Sequence, residues 1–304
     1  MPMRAEGGSA RTLAIAALLA GATCIGTSAL FVKVSEAGPI STAFWRTFLA
    51  LPFLWLWAWR DRRNTVAAYG NSRLLLFAAG FFFAGDLAVW HSSIVLTSVA
   101  NATLLANLAP IFVTLAAWLI WRHKPTPMFL AGLATALTGV ILLIGGDFSH
   151  SASHANKAML GDALGVVTAM FYAAYQLTIK RLRGNVGTAR IMAVSSMVTA
   201  ALLLPLAWLS GETFFPVTNA GWAKVFGLAV ISHVAGQSLI AYAMAHLPAT
   251  LSSVGLLLQP VMAGVFAWIL LGETLGAVAI AGGVLVLIGI RISTQAESAK
   301  QVKK

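Results

Sequence analysis

The chain has 304 residues, of which 59% are hydrophobic and 10% charged, against about 25% charged in an ordinary soluble domain. A large water-soluble domain is excluded: at about 20 helical residues per bilayer crossing, ten crossings use roughly 200 residues and leave about 100 for short loops and tails. Twenty Lys and Arg against nine Asp and Glu give a net charge of +11, and their placement in loops accounts for that excess better than binding to nucleic acid does.

Apolar runs between charge and turn clusters predict helices over Thr12–Val34, Ile40–Trp59, Arg73–Thr97, Asn101–Trp121 and Pro127–Gly145. A second set follows over Leu160–Ile179, Ile191–Leu209, Trp222–Ala245, Leu251–Leu271 and Leu275–Ile292. The first helix has the basic flank of a signal peptide, but its apolar run continues to Val34 and further spans follow, so it reads as a membrane helix. It contains the single cysteine, Cys24, which reads as a small buried hydrophobe and cannot form an intramolecular disulfide. The third and eighth spans hold Asp86, His91, His233 and Gln237 and are less apolar, yet their length and freedom from breakers keep them as spans. Runs such as LLANLAPIFVTLAAWLIW do not alternate, which rules against a transmembrane barrel. The fold expected is therefore an all-α membrane protein of ten transmembrane helices.

Assigning alternate loops to opposite sides puts 16 Lys and Arg on the side of the termini, 3 (Lys33, Lys157 and Lys224) on the other, and Arg46 inside a helix. Positive residues mark the cytoplasm, so both termini are expected there, together with a tail over 293–304. The 146–159 linker is expected on the far side. The excess charge also draws the protein to anionic membrane lipid.

The chain resembles itself. Pro110 and Trp118 in LAPIFVTLAAWLI match Pro260 and Trp268 in LQPVMAGVFAWIL at a spacing of 150, as Gly132 and Gly139 match Gly282 and Gly289. Earlier in each half the spacing drifts to about 147, pairing Lys33 with Lys180. Five helices per unit is an odd number, so the second repeat, 160–292, enters the bilayer inverted relative to the first, 12–145. Two inverted copies suit the exchange of inward-open and outward-open states around a central site.

On these marks, together with AFWRTFLALPFLW around Arg46 and LQPVMAGVFAWILLGETLGAVAIAGGVLVLIG with Pro260, Gly272, Glu273, Gly282 and Gly289, the chain resembles the drug/metabolite transporter superfamily. The likeness runs from about Leu13 to Ile292 and is to the ten-helix metabolite exporter (EamA-type) branch. Within it, the chain is similar to the bacterial aromatic amino acid exporters. The first half departs from the pattern, with Arg122 and His123 where the second has Gly272 and Glu273. The resemblance implies an exporter of the bacterial inner membrane, while the family's range of amino acids, purines, sugars and drugs leaves the solute open.

Ionisable groups in spans are expensive in lipid and so mark the bundle interior. Asp86 and Trp90 are four residues apart and share a face, with His91 alongside; Asp86 reads either as a coupling or ligand site or as the structural partner of Arg46. In the eighth span His233 and Gln237 lie on a stripe with Ile240 and Met244, suited to a solute of mixed chemistry or to interhelical hydrogen bonding. Tyr172 and Gln176 share a face of the sixth span. Asn107 near Pro110 and Gln259 beside Pro260 stand at matched helix breaks, which read as hinges or solute-binding carbonyls, or as plain kinks. Ser252 and Ser253 are further polar positions, and Glu273 reads as the cap of the tenth helix or as a gating group.

The expected substrate contacts are therefore Trp90, His91, Asn107, Tyr172, Gln176, His233, Gln237 and Gln259. Arg46 and Asp86 form a coupling or structural pair, and Pro110 and Pro260 the hinges. No histidine has a metal-ligand partner at a usable spacing, and neither a GxxxxGK[ST] loop nor HExxH occurs, so no cofactor, metal or enzymatic activity is expected. The expected function is secondary export of amino acids or similar amphipathic metabolites by a monomer. Export of purines or drugs, a channel and a non-transport membrane protein are the alternatives.

Overall fold

The computed structural model describes residues 3–61, 72–97, 99–122, 124–144, 155–272 and 276–302. Glu273, His123 and most of the 146–159 linker lie outside them. Among the described residues there is no strand, and ten crossings follow in order. The first half supplies spans 3–33, 39–60, 72–96, 99–121 and 127–144, and the second supplies 155–182, 188–209, 219–246, 249–271 and 277–302. Nine of the ten are long and apolar enough to cross a membrane. The exception, 39–60, consists of two ten-residue helices, Pro39–Phe48 and Leu51–Arg60, with Arg46 in the first.

The ends of the helices outrun the sequence pattern. The first begins at Met3, and the last continues through the expected tail to Val302. Hydropathy reads where lipid ends, but the backbone ladder continues into water as long as its side chains permit. Here Thr294 and Ser298 donate to the carbonyls four residues earlier, at 2.8 and 2.9 Å, and Ala296 remains buried.

Inter-helix contacts follow the internal two-fold. The fifth span lies along the tenth and the second against the seventh, each pair being its own image; the third packs on the sixth as the first packs on the eighth. The fifth–tenth crossing rests on the four glycines that mark the repeat. A Cβ built on Gly139 would lie 2.6 Å from the carbonyl oxygen of Gly282, and one on Gly282 the same distance from that of Gly139. Gly132 and Gly289 oppose each other likewise, at 2.9 and 2.6 Å. In lipid, where apolar surface gains little from leaving its solvent, such backbone approach supplies the packing that joins helices. Trp118 and Trp268, the other repeat marks, are 45% and 55% exposed and turn outward.

Four spans are interrupted. Proline removes a backbone donor and frees the carbonyl one turn earlier, so the fourth span breaks between Ala106 and Ala109 ahead of Pro110, and the ninth between Gly255 and Leu258 ahead of Pro260. In both, the chain crosses the gap on tightened bonds, Leu108 N to Leu105 O and Leu257 N to Val254 O, each 3.0 Å. Pro52 follows the break in the second span in the same way. The first breaks at Thr27, whose hydroxyl donates to Cys24 O at 2.6 Å and lies 3.0 Å from Ser232 Oγ of the eighth span. That eighth span is wound as a π-helix from Leu228 to Gln237. At the membrane ends, both copies of the fourth-type helix stop on a left-handed residue: Gly272 at φ 69° in the second half, and Arg122 at φ 55° in the first.

At the face opposite the termini, two carboxylates tie the halves together. Glu36 accepts from the Val217 and Thr218 amides at 3.0 and 2.9 Å and from the Thr218 hydroxyl at 2.6 Å, while Glu212 accepts from Ile40 N at 3.0 Å. The Thr218 hydroxyl, then its amide, hold the Glu36 carboxyl below its ordinary pKa, with Val217 N and Lys224 adding to the effect. A depressed carboxyl pKa contributes stability that is present above the unfolded value and lost as pH falls through the folded one. The tether should therefore hold at neutral pH and loosen only below the ordinary carboxylate value of about 4.3. Hydrogen exchange of a peptide covering 213–221 checks this: Glu36→Ala should speed exchange at pH 7, and the difference from the parent should vanish in acid once intrinsic rates are divided out.

Candidate functional site

A cavity of roughly 140 Å³ lies at the centre of the bundle, on the side away from the termini. Seven spans line it. The second brings Arg46; the third brings Phe83, Asp86 and Trp90; the fourth Thr103 and Asn107; the sixth Thr168 and Tyr172; the eighth Gln237; and the ninth Gln259 and Pro260. The first contributes Gly26, Ser28 and Ala29 around its break at Thr27. Helix breaks thus occur where three of these spans meet the cavity, a setting in which irregular backbone is tolerated at membrane depth.

An arginine and an acidic side chain line it together. Among the described residues no ion pair joins Arg46 to Asp86, although both line the cavity. The Arg46 Nε has no hydrogen-bond partner, and its guanidinium carbon stands 6.0 Å from the centre of the Phe83 ring. Asp86 is half-buried and Arg46 only 7% exposed. Phe83 stacks on Tyr175 at 4.7 Å, and Tyr175 on Tyr172 at 6.3 Å, so a column of rings backs the polar pair.

The amides at the two matched breaks are half committed. Asn107 Nδ2 donates to Thr103 O at 2.7 Å within its own helix, and Gln259 Nε2 donates to the Tyr172 hydroxyl at 3.3 Å. Each therefore retains its carbonyl oxygen as a free acceptor at the cavity. Gln237 is buried with Oε1 unpartnered.

Of the residues expected from sequence, Arg46, Asp86, Trp90, Asn107, Tyr172, Gln237, Gln259 and Pro260 come together here. Pro110, His91, His233 and Gln176 do not line the cavity. Pro110 is buried one residue into the second segment of the fourth span. His91 is 2% exposed and points Nδ1 at Leu87 O, one turn back in its own helix, with its ring edge-on to Trp90 at 5.0 Å. His233 lies 2.7 Å from Ser196 Oγ of the seventh span. The expected stripe reaches the cavity only at Gln237, because His233 is fully buried against Ser196 with its ring 5.6 Å from that of Phe83. Gln176 is buried below the cavity. The sequence reading missed Phe83, Thr103 and Thr168, each three or four residues from a residue it had chosen, and named no residue of the first span, where the only signal was an unremarkable Ser28.

The two halves are not in the same state. Thr103, Ala106 and Asn107 of the fourth span line open space, whereas their repeat counterparts in the ninth, Ser253, Leu256 and Leu257, are at most 3% exposed. There the short helix Ala249–Gly255 packs on the fourth and sixth spans. The cavity is open away from the termini and closed toward them.

The family model for the EamA-like transporter family matches residues 12–145 and again 159–295. A pseudopaline exporter of Pseudomonas aeruginosa (strain UCBPP-PA14) is 26% identical over 274 residues, covering 90% of this chain and 92% of that protein. A transporter of Archaeoglobus fulgidus described as uncharacterized is 26% identical over 276 residues, covering 88% and 92%. A probable terminal-alkyne amino-acid exporter of Streptantibioticus cattleyicolor is 29% identical over 194 residues, covering 63% of each. One solved crystal structure superposes with a TM-score of 0.78 at 19% identity, covering 95% of this chain and 98% of its own.

Proposed function

Because the chain belongs to the EamA-like transporter family and is a multi-span membrane transporter, we propose that its solute is a zwitterionic amino acid, exported by alternating access across a bacterial inner membrane. The observation that carries this is the unpaired Arg46 and Asp86 on one cavity. A guanidinium and a carboxyl group on one cavity, not joined in an ion pair, are complementary to a solute that brings a carboxylate and an ammonium group together. Arg46 would take the carboxylate and Asp86 the ammonium, while the free carbonyl oxygens of Asn107, Gln237 and Gln259 accept the remaining N–H groups. Trp90, Phe83 and Tyr172 supply ring faces for an apolar or aromatic side chain.

Matched breaks at Pro110 and Pro260 are the hinges in this reading, since the two short segments beside them, Val99–Ala106 and Ala249–Gly255, are the ones that differ in burial. Both termini are assigned to the cytoplasm on the 16 to 3 charge division, which makes the cavity open outward. The unit acts as a monomer, the cavity being complete within one chain.

The test is counterflow in liposomes of purified protein against a panel of amino acids and nucleobases. Aromatic or large apolar amino acids should exchange, and exchange of nucleobases alone would overturn the reading. A ring contact is worth about 0.5–1.5 kcal/mol, so Trp90→Ala or Tyr172→Ala should weaken L-phenylalanine roughly 2- to 12-fold and leave L-alanine unchanged. Tyr172→Phe keeps the ring and should keep the affinity. Equal losses for both amino acids would return these residues to a packing role.

A further inference from the structure

On the face that carries the termini lies a second and larger cavity, about 630 Å³, lined by Trp121, Lys124, Phe129, Lys180, Arg181 and His246 among others. It is separated from the central cavity by the closed half of the bundle. One helix face connects the two. Tyr172 lines the central cavity and Lys180 the second, eight residues on, and Gln176 stands midway on the same face of the sixth span. Gln176 is 1% exposed, yet neither Oε1 nor Nε2 has a hydrogen-bond partner. A buried amide with both ends unmet is costly and uncommon.

Repeat symmetry says what this position does in the other half. At the spacing of 147 that pairs Lys33 with Lys180, Gln176 corresponds to Ala29, which lines the central cavity on its open side. Ser253, 1% exposed, corresponds at a spacing of 150 to Thr103, which also lines it. The closure over Gln176 is held in part by Lys180, whose Nζ donates to Met244 O and Leu247 O at 2.9 Å each and so pins the end of the eighth span to the sixth.

We propose that Gln176 and Ser253 line a second half-path, opened when the central cavity closes, which joins that cavity to the 630 Å³ cavity at the terminal face. In the open form the Gln176 amide meets water and the polar head of the solute, for which it has both a donor and an acceptor. Its orphaned state in the present conformation then biases the protein toward opening, because opening satisfies it. The proposal rests on the alternating-access reading above but not on the identity of the solute.

The experiment uses the full chain with Cys24→Ala, carrying Gln176→Cys or Ser253→Cys, in sealed vesicles of known orientation. A membrane-impermeant methanethiosulfonate should modify both cysteines from the terminal face and neither from the opposite face. Adding Gln176→Leu to Ser253→Cys removes the unmet amide, and should slow that labelling at least tenfold while raising the melting temperature. No modification from the terminal face, under conditions that fully modify Arg181→Cys, would overturn the half-path; the two positions report independently should one variant fold poorly. Unchanged labelling with Gln176→Leu would overturn the role of the amide. Labelling as expected, with no amino acid counterflow by the parent protein, would leave the half-path standing and reject the zwitterionic solute.

Discussion

Gly282→Ala should cost about 3 kcal/mol, at the upper end for overpacking a well-filled site, and Gly282→Leu should yield no folded protein. A methyl group at this position would meet Leu143 N at 2.5 Å and Gly139 O at 2.6 Å. Both are backbone atoms of the opposing helix, so neither can rotate away, and the fifth and tenth spans would have to separate along their whole crossing. Its neighbour provides the control. A Cβ on Gly283 would meet nothing nearer than 3.6 Å, so Gly283→Ala should stay within about 0.5 kcal/mol of the parent. Thermal unfolding of the detergent-solubilised variants reads both; equal losses at the two positions would show that the crossing does not depend on backbone approach.

Neutralising Asp86 should separate folding from transport. In Asp86→Asn the side chain keeps its shape and faces the cavity, so the folded yield should hold. A charge-assisted hydrogen bond to the solute is worth about 1.5–3 kcal/mol, so its loss should weaken amino acid exchange roughly 10- to 100-fold. Arg46→Gln should cost more in yield, because the arginine is 7% exposed and packs against Phe83. Joining both changes should leave the yield at that of Arg46→Gln alone, with exchange still lost. If the double variant recovers exchange as well as yield, the two residues serve each other and not the solute. Yield and exchange measured side by side in liposomes decide between these outcomes.

The arrangement of helices was legible because lipid leaves few ways to write a sequence. Backbone groups in a bilayer must bond within their own segment, so each crossing appears as a long apolar run. The shared glycines at 132, 139, 282 and 289 could be recognised as repeat marks before any contact was known. Charged residues were legible for the same reason: Asp86 and Arg46 are too costly to face lipid, and both proved to line the cavity.

Histidines were not legible in this way. An imidazole in a span bonds a neighbouring carbonyl or hydroxyl as readily as it faces a solute, and His91 and His233 do the former through one nitrogen each, with Leu87 O and Ser196, while His91 Nε2 and His233 Nδ1 have no partner. Gln237 reaches the cavity without His233, which packs on Ser196 and beside the Phe83 ring. The sequence by itself determined the class of protein, the number of crossings and the inverted halves, since these follow from transfer energies that act residue by residue. Only the tertiary structure decided which polar groups meet at the centre, which half is closed and that Gln176 lies unpartnered between two cavities, because each of these depends on how helices distant in the chain are turned against one another.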